Sequence, residues 1–126
     1  MAQTNPLKIF LVDDDPFYLN ILEQCVRISG YSNLSCFQDG HSCLNQLHER
    51  PDVIFLDYSM GEMTGYEVLQ KIKRFDPNIY VVIISGQDQI GPAVDSLKHG
   101  AFDYIQKGNN EDEKIKKVLE LSLIHI

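Results

Sequence analysis

Two short runs, VIFL at residues 53–56 and VVII at 81–84, are apolar at every position and stop on polar residues, Asp57 and Ser85. A strand with one wet face alternates apolar and polar side chains. A run without alternation fits a strand buried on both faces, as in a parallel sheet covered by helices. Two further runs, residues 7–12 and 104–106, stop at Asp13, Asp14 and Asp15 and at Lys107. As parallel strands, all four would end on one edge of the sheet, the edge where open α/β folds place their ligands.

The rest of the chain supplies the connections such a sheet needs. Asp15-Pro16 opens a helix, because Asp is a good N-cap and Pro is tolerated in a first turn. Its buried stripe is Leu19, Leu22 and Val26, with Ile21, Cys25 and Ile28 beside it, and it stops at Gly30. Residues 33–38 read as a second strand and 41–50 as a helix with Cys43, Leu44 and Leu47 inward. Thr64 caps a third helix running through Phe75, with Val68, Leu69 and Ile72 on its buried face. Pro92 belongs near a helix start, so a fourth helix is expected from about Gly91, with 86–90 as loop and Val94 and Leu97 inward. Residues 101–106 and 110–123 complete a fifth strand and helix. Strand–helix alternation of this kind predicts an α/β fold with helices on both faces of a parallel sheet. Right-handed crossovers leave few strand orders, of which the flavodoxin-like 2-1-3-4-5 suits this size. It makes the second strand an edge, and that strand ends on the weakest chemistry, Gln38-Asp39-Gly40.

At 126 residues the chain fits a single domain, 1–126, with its core over 7–124. A net charge of −7 and a pI near 4.9 argue against direct nucleic-acid binding, which wants a basic face. No apolar run approaches a membrane span and the first residues do not read as a signal peptide. The odd number of cysteines (Cys25, Cys36, Cys43) without a CxxC suits reduced thiols in a cytoplasmic protein. His41, His48, His99 and His125 show no metal-ligand spacing.

Asp13, Asp14 and Asp57 on adjacent strand ends would crowd like charges, which is costly unless a cation neutralises them or a pKa rises. Carboxylates with room for water suit Mg²⁺ (or Mn²⁺), which keeps part of its hydration shell and bridges to phosphate. Lys107 would add an ammonium and Ser85 a hydroxyl, and phosphoryl transfer needs little beyond positioning and charge neutralisation. Singly, each residue has an ordinary explanation: capping turns for the acids, a turn serine, a solvated lysine. Jointly, four accidents would have to fall on one sheet edge.

The segments FLVDDDP (10–16), FLDYSMGEMTGYEVL (55–69), VVIISG (81–86) and AVDSLKHGAFDYIQK (93–107) together resemble the receiver domain of two-component response regulators. The resemblance implies that Asp57 is the phosphoacceptor and that Asp13, Asp14, Asp57 and the Ser59 backbone carbonyl hold the metal. It makes Ser85 and Tyr104 the switch hydroxyl and aromatic, Lys107 the phosphate-contacting lysine, and Ser59 and Gln87 positions that tune phosphate lifetime. It implies a histidine kinase or phosphotransfer protein as donor, and an output domain or homodimer contacting the face of the fourth helix, fifth strand and fifth helix. Such a domain is not an enzyme beyond its own phosphorylation and dephosphorylation.

Two departures stand out. Gly108 follows Lys107 where the family usually has Pro, so a trans bond and a looser loop over 108–110 are expected. Gly61 follows Met60 where Pro is frequent, so the loop over 58–64 is expected to be more mobile. Two rival readings exist. A haloacid-dehalogenase-type phosphatase would use Asp13 as nucleophile in a DxD motif, but it leaves Asp57 idle and lacks room for a cap domain. A receiver-like interaction module that is never phosphorylated would work without metal. The apolar Leu121, Leu123, Ile124 and Ile126 read as harmless exposure at a helix end or, more sharply, as a linker severed after about residue 121 or a dimer helix.

Overall fold

A computed structural model describes residues 7–86, 88 and 90–125, without the side chains of 123–125. Gln87 and Ile126, and the side chains of Leu123 and Ile124, therefore lie outside the described residues. Five strands, β1 (Ile9–Val12), β2 (Leu34–Phe37), β3 (Val53–Asp57), β4 (Tyr80–Ser85) and β5 (Asp103–Gln106), alternate with five helices. These are α1 (Pro16–Ile28), α2 (Gly40–Asn45), α3 (Gly65–Phe75), α4 (Ile90–Ser96) and α5 (Glu111–His125). The strands are all parallel in the order β2-β1-β3-β4-β5, as expected of the flavodoxin-like arrangement.

The period-2 geometry of the unalternating strands divides them between two cores. Leu11, Phe55, Val82 and Ile84 pack with Leu22 and Val26 of α1 and Ile115 and Leu119 of α5. Phe10, Val12, Ile54, Leu56 and Ile83 turn to the other face, against Val68, Leu69 and Ile72 of α3 and Ala93 of α4. All of these are buried, so both faces of the central strands are covered, while the edge strands β2 and β5 keep part of their surface exposed.

Local chemistry sets the helix starts. The Asp15 side chain accepts from the Phe17 N–H and caps α1, with Pro16 in its first turn. Thr64 and Glu67 form a reciprocal capping box at α3, satisfying two otherwise unpaired donors. The second helix is shorter than predicted, ending at Asn45 and continuing as a 3₁₀ turn, Leu47–Glu49. Ile28, placed beside the α1 stripe, is 86% exposed.

The fourth helix corrects the sequence expectation. It begins at Ile90, and its inward residues are Ala93 and Ser96, while Val94 and Leu97 face solvent. A helix of fewer than two turns has too few apolar positions to fix its phase by periodicity. Here small side chains take the inner face, and the Ser96 hydroxyl is satisfied by the Pro92 carbonyl at 3.1 Å.

Candidate functional site at the C-terminal edge of the sheet

Register brings the site together. Val12 pairs with Leu56, so Asp13 and Asp57, one residue further on, leave the sheet side by side. Asp57 itself pairs with Ile84, and Ser85 pairs with Gln106, which puts Lys107 beside them. The Lys107 N–H donates to the Ser85 carbonyl at 2.8 Å, carrying the β4–β5 pairing one step past the strands.

The Lys107 ammonium lies 3.1 Å from Oδ2 of Asp13 and 3.3 Å from Oδ1 of Asp57. Oxygens of Asp13, Asp14 and Asp57 all fall within 4.8 Å of one another. Asp13 and Asp57 are buried, whereas Asp14 stands exposed at the rim. The Asp13 carboxylate accepts from the Asp15 N–H through Oδ1. Its Oδ2 forms the ion pair with Lys107 but completes no well-aligned hydrogen bond, so it keeps capacity for a further partner.

Electrostatics match this crowding. Burial, with the Asp13 charge next, pushes the Asp57 carboxyl up to about 7, against the pull of Lys107. Burial likewise raises Asp13, with the Asp15 N–H and Lys107 opposing. Burial alone would lower Lys107, but Asp57 and Asp13 hold it above its ordinary range. One lysine therefore does not neutralise the acids. The missing positive charge and the uncompleted Asp13 oxygen fit a hard divalent cation with oxygen ligands.

Ser85 Oγ is buried and has no hydrogen-bond partner among the described residues. A buried orphan hydroxyl is uncommon and calls for an explanation. At this sheet edge, a group with oxygens to be hydrogen-bonded supplies one. Tyr104 is half-buried on β5, packed against the second core, with the Lys114 ammonium 6.0 Å from its ring centroid. Ser59 is exposed in the loop after β3.

That loop makes several internal contacts. Met60 and Met63 are buried, and the Gly65 N–H closes back on the Tyr58 carbonyl at 2.7 Å. A Cβ on Gly65 would meet the Asp57 carbonyl oxygen and Tyr58 Cα at 2.7 Å, so only glycine lets α3 start this close to Asp57. The turn after Lys107 is tied to α5. All described peptide bonds are trans, Gly108 and Asn110 sit at φ 79° and 55°, and the Gly108 N–H donates to Oε2 of Glu111 at 2.7 Å.

The sequence reading missed Tyr18 and Glu111. The Tyr18 ring lies under the Lys107 ammonium, 4.4 Å from centroid to nitrogen, and its hydroxyl donates to Glu111 at 2.9 Å. An aromatic in the first turn after the acidic run was the available signal.

Comparison with known proteins agrees with this geometry. Residues 9–119 match the response regulator receiver domain family. The chain is 35% identical over 120 residues to the transcriptional regulatory protein ZraR of Salmonella typhimurium, covering 94% of this chain and 27% of that protein. It is 32% identical over 111 residues to the chemotaxis protein CheY of Listeria monocytogenes, covering 87% and 93%. The solved receiver domain of NtrX from Brucella abortus superposes with a TM-score of 0.85 at 28% identity, covering 92% of this chain and 98% of that one. The chain thus spans about a quarter of its ZraR relatives and nearly all of CheY. With sheet order, site geometry and relatives in agreement, this chain belongs to the response regulator receiver domains of two-component signalling.

Proposed function

We propose that Asp57 accepts a phosphoryl group from a phosphohistidine on a histidine kinase or phosphotransfer protein. An Asp57 oxygen bonds to phosphorus, the P–N bond breaks, and the imidazole leaves with the electron pair and takes up a proton. The observation that carries this is the Asp57 carboxylate, 3.3 Å from Lys107 and grouped with Asp13 and Asp14, beside a Ser85 hydroxyl that has no partner among the described residues. Asp13, Asp14, Asp57 and the Ser59 carbonyl would hold Mg²⁺ (or Mn²⁺), which supplies charge neutralisation of the incoming phosphoryl oxygens. Lys107 would orient one of those oxygens.

The added group carries close to two negative charges and fresh acceptor oxygens. Ser85 then gains the partner it lacks, and Tyr104 turns inward behind it. This shifts an existing equilibrium toward the arrangement that binds phosphate better. The affected surface is the α4–β5–α5 face, where Val94, Leu97 and Leu121 are exposed. It would meet an output domain, a target protein or a second copy of the chain. The domain acts as a phosphoacceptor and catalyses only the gain and loss of its own phosphate. No helix among the described residues is long and apolar enough to cross a membrane. Free thiols on Cys25, Cys36 and Cys43 support a cytoplasmic location.

The phosphatase reading loses support because residues 9–119 match the receiver domain family and because it leaves the Lys107-paired Asp57 without a role. The test is incubation with Mg²⁺ and a small phosphodonor, followed by mass spectrometry. One phosphoryl adduct is expected, absent from Asp57→Asn. An adduct that persists in Asp57→Asn, or steady phosphomonoester turnover lost in Asp13→Asn, would overturn the assignment.

A further inference from the structure

We infer that Tyr18 is a positioning residue for the phosphoryl-transfer site, its ring holding the Lys107 ammonium over the acids while Glu111 holds the ring. The inference rests on the reading of Asp57 as phosphoacceptor and extends it to residues outside the acid–lysine–serine group.

Four links close a circuit. Lys107 faces the Tyr18 ring at 4.4 Å; the Tyr18 hydroxyl donates to Oε2 of Glu111 at 2.9 Å; the same oxygen accepts the Gly108 N–H at 2.7 Å; and Gly108 is bonded to Lys107. The circuit joins α1 to the first residue of α5, two helices that share one core. It also depends on residue 108 having an N–H and a backbone at φ 79°, which suits glycine. The carboxylate is engaged as an anion. Burial works against it, but the N–H groups of Gly108 and Glu111 and the Tyr18 hydroxyl hold Glu111 below its ordinary range.

A lysine needs such a device more than an arginine would. Its ammonium is a point charge on a flexible four-carbon stem, without a fork to fix its direction. Two of its approaches are taken by Asp13 and Asp57, and the Tyr18 face lies on a third. The ring's negative face attracts the cation without hydrogen-bonding it away from the acids. The ammonium is therefore aimed before a phosphoryl group arrives, and preorganised charge of this kind costs no rearrangement during transfer.

The test combines one spectroscopic and one kinetic readout on the full chain. In the unsubstituted protein, the Lys107 ε-methylene protons should show an upfield ring-current shift, retained in Tyr18→Phe and lost in Tyr18→Leu. With Mg²⁺ and a small phosphodonor, Tyr18→Leu should accept phosphate about fivefold more slowly, and Tyr18→Phe, which keeps the ring but loses its tie to Glu111, should be slowed less. Absence of the shift in the unsubstituted protein overturns the inference even where Tyr18→Leu fails to fold. A folded Tyr18→Leu at full rate overturns it as well. If the unsubstituted protein accepts no phosphate at all, the reading of Asp57 falls and takes this one with it.

Discussion

The Lys107 ammonium reaches Oδ1 of Asp57 at 3.3 Å although β4 lies between their two strands. The contact spans the strand that carries Ser85, so the cation, the acceptor and the hydroxyl are fixed relative to one another by the sheet. Removing the cation should therefore be felt in both stability and chemistry. Lys107→Ala leaves Asp13 and Asp57 facing each other; discounted for the partial exposure of the lysine, the cost is about 1–2 kcal/mol in metal-free buffer near pH 8. Urea unfolding should show this, with Mg²⁺ restoring more stability to the variant than to the unsubstituted protein. Phosphoryl uptake should slow by about tenfold or more. A variant phosphorylated at the ordinary rate would refute the lysine's role.

Burial and the Asp13 charge push the Asp57 carboxyl from an ordinary 3.8 up to about 7. Between these values the folded state binds the proton more tightly than the unfolded chain, so stability falls as pH rises through that window and stays low above it. Asp57→Asn removes the titration. In metal-free buffer it should be more stable than the unsubstituted protein at pH 8, by an amount on the order of a few kcal/mol. The difference should shrink toward pH 5, where Asp57 is protonated. Melting temperatures of the pair across pH check this, and a gap that widens toward acid would contradict it.

Among the described residues, Ser85 Oγ has no partner to lose in the resting protein. Ser85→Ala should change resting stability by less than about 1 kcal/mol, and in the stabilising direction, because a buried unsatisfied hydroxyl is a cost. The same substitution should weaken the response of the Tyr104 ring resonances to a phosphate mimic. Unfolding curves and side-chain spectra measure the two effects separately. A marked loss of resting stability would mean that the hydroxyl is already satisfied.

Gly65→Ala puts a methyl group 2.7 Å from the Asp57 carbonyl and Tyr58 Cα, both backbone atoms. Overpacking against atoms that cannot rotate away should cost about 2 kcal/mol or more. It should also displace the segment bearing Asp57, so slower phosphorylation accompanies the lower melting temperature. Normal rate and stability together would show that α3 can retreat freely.

Strand and helix alternation, the 2-1-3-4-5 order and the convergence of Asp13, Asp14, Asp57, Ser85 and Lys107 on one edge were legible in the chain itself. The reason is that doubly buried strands leave an unalternating apolar signature, and parallel pairing then puts every strand's last residue on the same side. Caps were legible too, because Asp15 and Thr64 act on N–H groups within three residues. Tertiary structure decided what depends on residues distant in sequence. It chose Ala93 and Ser96 over Val94 and Leu97 as the inner face of α4, since fit against the sheet outweighs hydrophobicity in so short a helix. It tied the turn after Lys107 to Glu111, a contact that the substitution of glycine for the family's proline did not announce. It also brought Tyr18 under Lys107, 89 positions away by the numbering and 4.4 Å in space, a meeting that no local pattern encodes because it arises only when α1 and β5 are fixed around one sheet.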